Sequence, residues 1–594
     1  MLKMNFQSRS KYFFILPYLV LAAMTALFLA RAFFGFDWSD ECYYLALPYR
    51  FVLGDRFFAD SWDIHQTSAM LIAPVLWLYR LVVGNMTGVI LFMRLFYVLV
   101  QSLVSLLIYR SVLRLYERRL PALLCAALFL SFTPFSISNF SYNSMGYLFT
   151  VTSAMLVFFL YSRVGSRRRA CVLGALAGAA LACACVSYPF FITVLLPFSG
   201  LLIGMRPSVA GKGGERKSLA PFAFFLAGGC FVAACAASFA LIRTGFSGIA
   251  GNLVYLFEDP EHPYQSVFVK TSLFFKDYYH LVLLSLLQIT LLVMILLYRR
   301  VKGGPDLSMI FPILIWVGLP LSLAVNIGMI LGQPEFTQPL TAKVNLIQAC
   351  AGFWPLILFV QKPSRRGTAV LLLMYIPSLL MCWAVYIVSN NGITGSAYAL
   401  NLCVLSCVLL LYDHYAESSD GSAAQKRVRR ALWAILTSSL TLLVFCNAAL
   451  RLQAVYRDDS IGRLRVQMTD GPAAGIYTTS AAAARYAGIL EDIRSAVPAD
   501  GGRVMFNELL PFGYLCVEQK AAPPSIWRME LPSARVDRYF AQNPQNRPSL
   551  LYVVKSSYGL HNGTKPVTQQ EAEKIMGSRA VMKETEYSYQ FTKE

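Results

Sequence analysis

The sequence predicts an all-α protein that crosses a membrane about thirteen times and carries a small α/β domain at its C-terminal end. Three observations predict it. Of 594 residues, 57% are hydrophobic and only 14% charged, with a mean hydropathy of +0.53, whereas an ordinary soluble domain is about 25% charged. Apolar stretches of the ~20 residues needed to cross a hydrocarbon core follow one another from Tyr12 to about Arg451. After Leu452 the composition turns to that of a soluble module, long enough to bury a core of its own. A soluble multidomain enzyme is excluded.

The elements follow in order. The stretch from Tyr12 to Phe34 comes after Lys3, Arg9 and Lys11, as a signal peptide would, but it is too long and lacks a small-residue cleavage site, so a retained first helix is expected. Ala69–Val83 is apolar but short and contains Pro74 and Arg80. It reads as an interfacial or re-entrant helix. Further crossings are expected near 86–109, 120–139, 144–162, 170–187, 189–205, 220–242, 281–298, 307–331, 342–361, 368–389, 397–413 and 431–451.

Their orientation comes from a ladder of basic clusters, around Arg110–Arg119, Arg163–Arg169, Arg206–Lys217, Arg299–Lys302, Lys362–Arg366 and Lys426–Arg430, with two helices between each cluster and the next. Short cytoplasmic loops are the ones enriched in Lys and Arg. The N-terminus is therefore expected inside and the C-terminus outside, in a multi-pass protein of the cell membrane. The transmembrane domain is then 1–451, with a first outer loop at 35–85 and a second at 243–280, and 452–594 is a soluble extracytoplasmic α/β domain. In that tail the patterning predicts helices over 481–497 and 534–541 and buried strands at 503–506 and 550–554.

Placing the charges also disposes of one function class. The net charge of +20, from 52 Lys+Arg against 32 Asp+Glu, would suit a nucleic-acid binder. Nearly all of the excess falls in the cytoplasmic clusters, so it is an orientation signal, and no nucleic-acid partner is expected. Of 13 cysteines, only Cys42 and Cys516 fall outside apolar segments, which leaves a bridge between them as an option. No P-loop, GxGxxG or GxSxG motif stands in a strand-turn-helix setting, which argues against ATP-driven transport and nucleotide-sugar chemistry.

The first outer loop is where chemistry concentrates. It holds Asp37, Asp40, Glu41, Asp55, Asp60 and Asp63, and His65, one of five histidines. Carboxylates at a membrane surface can take a proton from an acceptor hydroxyl or hold a divalent cation; they can also simply keep a loop soluble. A phosphate ligand would need cations on the same face, and the candidates are Arg80, Arg94, Arg243, Lys270, Lys276 and Lys343. Arg94 is the most informative, because a charge inside a span is costly unless it faces a polar cavity or partner. The second outer loop, with His262 and Lys270 among its aromatics, has the composition of a segment lying on the membrane over a lipid-linked substrate.

Asp40-Glu41-Cys42-Tyr43-Tyr44 after the first span, Gly54-Asp55, Asp63-Ile64-His65, the short interfacial helix and Arg94 together resemble the membrane glycosyltransferases of the GT-C superfamily. The nearest branches are the protein O-mannosyltransferase-like and aminoarabinose-transferase-like families. The mannosyltransferase branch continues Asp-x-His with two prolines, where this chain has Gln66-Thr67. The resemblance implies a GT-C-type fold and inverting transfer of a hexosyl or pentosyl group from a polyprenyl-phosphate-linked donor to a cell-surface glycan, lipid or protein on the outer face. It implies Asp40 and Glu41 as catalytic residues, Asp40 as the base. Asp63, His65, Arg94, Arg243, Lys270 and His262 would bind substrate, and Asp40, Glu41 and Asp63 are the residues that would hold Mg or Mn if one is needed. Two other readings are open: a transporter or flippase of lipid-linked or soluble substrates, disfavoured because the acidic residues lie in loops rather than at the midplane, and a glycan ligase or polymerase.

Overall fold

The computed structural model describes residues 6–162, 166–211, 214–258, 265–278, 364–389, 391–417, 423–498, 501–507, 509–527, 533–558 and 567–594, with isolated positions at 290, 294, 297, 301 and 531. The expected spans at 281–298, 307–331 and 342–361, and His262, lie outside these residues.

The helices of the N-terminal region are α1 (Phe6–Arg31), α2 (Asp40–Val52), α3 (Gln66–Val83), α4 (Val89–Tyr116), α5 (Arg119–Ser131), α6 (Tyr142–Tyr161), α7 (Arg167–Ser187), α8 (Leu195–Gly204), α9 (Ala220–Thr244), α10 (Phe246–Asn252) and α11 (Val267–Asp277). After the break come α12 (Arg365–Val388), α13 (Asn401–Glu417) and α14 (Ala423–Gln453). Among the described residues seven helices are long and apolar enough to cross a membrane. Five shorter apolar helices add to these at Ile15–Arg31, Arg119–Ser131, Pro189–Gly204, Phe246–Phe257 and Ala397–Leu410. Helix α4 runs unbroken because its apolar sequence has neither Gly nor Pro. Helices α7 and α9 approach closely because Gly178 has no side chain: a Cβ there would lie 1.8 Å from the Phe225 carbonyl oxygen.

Helix α3 is long enough to span, yet both its ends are tied to the C-terminal region. Just before it, Trp62 N–H donates to Pro524 O at 2.7 Å. Near its other end Arg80 pairs with Glu518 at 3.1 Å, and just beyond it Gly88 N–H donates to Gly471 O at 3.0 Å. Eighteen residues at about 1.5 Å each would carry the two ends of a crossing helix to opposite faces. These contacts instead lay α3 along the C-terminal region.

Two short antiparallel pairs, β1 (Ser208–Gly211) with β2 (Gly214–Lys217) and β3 (Val466–Gln467) with β4 (Tyr477–Thr478), precede the main sheet. The C-terminal region has the expected helices, at α15 (Ser480–Ala496) and α17 (Ala534–Gln542), and the expected strands, at β5 (Val504–Phe506) and β6 (Leu550–Val554). It adds α16 (Pro511–Leu515), α18 (Gln569–Met576), β7 (Ala580–Glu584) and β8 (Ser588–Lys593). The sheet order is β5-β6-β8-β7, with β5 and β6 parallel and the rest antiparallel. A parallel pair needs a long crossover, and the chain through α16 and α17 supplies it. Strands β5 and β6 are buried throughout, which is why they read as short apolar runs. The core on one side of this sheet includes Met505, Tyr539, Leu551, Val553, Phe591 and, from the first loop, the fully buried Trp62.

Candidate active site

Helix α1 ends at Arg31, and the chain turns through Gly35 into α2, whose first two residues are Asp40 and Glu41. Asp37 builds the start of α2. One of its oxygens accepts Ser39 N–H at 3.1 Å and Ser39 Oγ–H at 2.7 Å, and the other accepts Glu41 N–H at 2.9 Å. Its carboxyl is buried, and burial followed by the neighbouring Asp40 charge pushes its pKa up to about 7.

Glu41 is held by Arg94 through both carboxylate oxygens, with Nε at 2.6 Å, and its Oε1 also accepts Asn139 Nδ2 at 3.1 Å. Arg94 donates further to the Ala32 and Gly35 carbonyls, both at 2.9 Å. The costly charge inside α4 is thus matched by a bidentate carboxylate. Its partner is the other half of the acidic pair, so Arg94 fixes α2 against α1 and α4.

Asp40 points elsewhere. Its Oδ2 accepts Tyr456 O–H at 2.6 Å and lies 3.0 Å from Arg457 Nη1, and its side chain is one-fifth exposed. It is the reachable carboxylate of the pair.

Arg31, Asp37, Glu41, Arg94, Arg451 and Tyr456 line one small cleft, and Asp40, outside that lining, reaches it through its hydrogen bond from Tyr456. Arg31 and Arg451 face it in an unusual state. Arg31 donates to the carbonyls of Phe34 and Ala454, at 2.5 and 2.7 Å. Arg451 donates to Gln101 Oε1 at 2.8 Å, Leu130 O at 2.6 Å and Ser138 Oγ at 3.3 Å, and lies 4.1 Å from the Phe28 ring centroid. Among the described residues neither has a carboxylate in ion-pair range, and the buried Nε of each has no hydrogen-bond partner. Both stand at span ends, where a sequence reading takes arginine for an anchor at the headgroups. The missing signal was tertiary.

The other expected residues fall apart from this cleft. Asp63 is buried and bound by Ser525 Oγ at 2.5 Å and Ser61 Oγ at 3.0 Å. Burial raises its pKa, against the pull of the Ser525 hydrogen bond. His65 stacks flat on Tyr142, 3.5 Å between centroids, beside Tyr43 and Tyr44. Arg243 is exposed and lies over Phe239, and Lys270 is buried on α11 with its pKa lowered by that burial. Asp40, Glu41 and Asp63 are the residues expected to hold a divalent cation if one is needed. Each carboxylate is committed to its own partners, and among the described residues no three His, Cys, Asp or Glu side chains converge on a metal site. Cys42 and Cys516 are both free thiols. Trp527 packs edge-on against Tyr43 at 5.1 Å, next to the buried Ile526.

No protein-family model and no curated protein matches the chain. Solved structures do. The chain is similar to the archaeal oligosaccharyltransferase AglB from Archaeoglobus fulgidus in complex with an inhibitory peptide and a dolichol-phosphate, at 11% identity and a TM-score of 0.47 over 92% of this chain and 70% of that one. The apo form of the oligosaccharyltransferase from the same organism gives 12% and 0.45 over 91% and 70%. Its complex with zinc and sulfate gives 11% and 0.47 over 90% and 68%. The neighbours in structure are oligosaccharyltransferases.

Proposed function

We propose that this protein is a membrane glycosyltransferase that moves a sugar, with inversion, from a polyprenyl-phosphate-linked donor to an acceptor hydroxyl on the outer face. One observation carries the reading: Arg31 and Arg451, which among the described residues have no carboxylate in ion-pair range, line one cleft with Asp37 and Glu41, and Asp40 is bonded to Tyr456 of the same lining. Such a transfer creates negative charge on the leaving phosphate and releases a proton from the acceptor. It needs cations and a base within one site.

The roles follow from exposure and partners. Asp40, the accessible carboxylate, takes the acceptor proton as the acceptor oxygen bonds to the anomeric carbon and the bond from that carbon to the phosphate oxygen breaks. Arg31 and Arg451 meet the phosphate. Glu41 and Arg94 hold α2 in place, and Asp37 anchors its first turn. The basic ladder in the sequence supports thirteen crossings, with residues 452–594 on the outer side and membrane lipid around the spans. The acceptor is a surface glycan, lipid or protein.

The test is transfer by purified protein from a polyprenyl-phosphate-linked sugar. Asp40→Asn is expected to lower the rate by roughly 10²–10⁴-fold without changing the melting temperature. The double variant Arg31→Gln, Arg451→Gln is expected to lose donor binding. Wild-type transfer by Asp40→Asn would overturn the base assignment, and undiminished donor binding by the double variant would overturn the phosphate site.

A further inference from the structure

The segment that follows α14 crosses directly over the start of the first loop. Val455 packs so tightly on Gly35 that a Cβ there would lie 2.1 Å from Val455 Cγ1, and Gly35 has φ +85°. Asp458 Oδ2 accepts Phe36 N–H at 2.8 Å and Thr478 Oγ1–H at 2.7 Å. Between these two fixed points stand Tyr456, whose hydroxyl donates to Asp40 Oδ2, and Arg457, which pairs with that same oxygen and donates to Ser39 Oγ.

Arg457 differs from the other guanidinium groups of the site in two ways. Its backbone lies in the left-handed region at φ +52°, which a long side chain adopts only where its surroundings impose it. Its side chain is about one-third exposed, against 9% for Arg94. It lies over the Tyr456 ring at 5.1 Å, and Tyr456 lines the cleft. Arg457 is therefore a partly exposed cation beside Tyr456 of the cleft lining, paired with the oxygen that a general base would use.

We propose that Arg457 is a positioning residue that exchanges Asp40 for the donor phosphate. The inference rests on the donor reading above. Without donor, the Arg457 guanidinium neutralises Asp40. A phosphate entering between Arg31 and Arg451 offers a second anion, and the guanidinium moves to it. One ion pair breaks as another forms, no covalent bond changes, and Asp40 keeps the Tyr456 hydrogen bond while its anionic oxygen becomes available to an acceptor hydroxyl. The base is thus released only when there is a sugar to transfer, which imposes donor-first binding.

The experiment uses the full chain in lipid nanodiscs, with polyprenyl phosphate and, separately, inorganic phosphate as probes. Binding affinity and hydrogen–deuterium exchange of the 454–460 segment are measured for wild type, Arg457→Gln and Arg457→Lys, with Arg463→Gln as a control outside the cleft. Polyprenyl phosphate is expected to change exchange of the segment in wild type and Arg463→Gln but not in Arg457→Gln. Arg457→Gln is expected to bind it about tenfold more weakly, the loss of one charge-assisted hydrogen bond, and Arg457→Lys to recover most of that. A change also produced by inorganic phosphate assigns the trigger to the phosphate, and one seen only with the lipid assigns it to the donor as a whole; either supports the exchange. If wild type and Arg457→Gln bind polyprenyl phosphate equally and the segment is unaffected, the exchange is wrong and the donor reading stands. If wild type binds no polyprenyl phosphate, both fall.

Discussion

The two halves of the loop between α1 and α4 treat their charges in different ways. From Arg50 to Asp63 each carboxylate is buried and fully partnered. Asp55 takes Arg50 Nε at 2.6 Å and Arg503 Nη1 at 3.0 Å, and Asp60 takes Arg56 and Asn546. Asp63 takes Ser525. Arg503, Asn546 and Ser525 reach this loop from the C-terminal region, and Trp62 completes that region's core. In the other half Asp37 and Glu41 line a cleft with Arg31 and Arg451, which among the described residues have no carboxylate in ion-pair range, while Glu41 is paired with Arg94 and Asp40 with Arg457. One half is a joint, with its charges closed in pairs. The other is a site, where the guanidinium groups of Arg31 and Arg451 have no carboxylate in ion-pair range among the described residues.

The largest expected effect lies in the joint. Asp55→Ala leaves Arg50, whose side chain is 1% exposed, and Arg503 without their shared carboxylate. Breaking a buried pair from one side costs about 3–5 kcal/mol, enough to loosen the first loop from the C-terminal region. Asp40→Ala removes a carboxylate from a partly exposed pair and should cost no more than about 1 kcal/mol. Unfolding of the two purified variants in detergent, followed by tryptophan fluorescence, compares them directly. Equal losses would mean that the two halves do not differ as described.

Much of this architecture was legible in the sequence. The two tail helices and the strands β5 and β6 follow from periodicity and from short, fully apolar runs. The acidic pair and Arg94 were singled out by residue type and place. Helix α2 was not foreseen, because its short, tyrosine-rich sequence contains Pro48 and opens on an acidic pair, and its burial comes from outside elements. Arg31 and Arg451 were missed for a related reason: 420 residues separate them, and only the packing of the first and last described spans brings them to one cleft. Asp37 looked like any loop carboxylate until burial distinguished it.

Asp37 and Asp60 should divide the pH dependence between the two halves. Asp37 has a folded pKa of about 7 against an ordinary 3.8. It binds more protons folded than unfolded, so its contribution is greatest below about 4 and is lost as pH rises toward 7. Asp60 runs the other way. Burial alone would raise it, but hydrogen bonds from Arg56 and Asn546 hold it at about 2, so its contribution is present above 3.8 and is lost as pH falls toward 2. Asp37→Asn is therefore expected to flatten the decline in stability between about pH 4 and 7 and to leave the acid limb in place. Melting temperatures measured across that range check it; an unaltered decline would remove Asp37 as its source.

The smallest effect is expected where the joint reaches solvent. Arg80 and Glu518 pair at 3.1 Å across the end of α3, with side chains 32% and 58% exposed. Water screens such a pair, and ordering two long side chains offsets much of the attraction, so exposed pairs contribute about 0–1 kcal/mol. Arg80→Gln should leave stability and transfer almost unchanged, although Arg80 stood among the cations that could have met a phosphate. The contrast with Asp55 is then one of burial rather than of charge, since both pairs tie the first loop to the same C-terminal region. If Arg80→Gln instead weakened polyprenyl-phosphate binding as strongly as the Arg31→Gln, Arg451→Gln double variant, the donor phosphate would sit at the end of α3, and the division of the loop into a closed joint and an open site would fail.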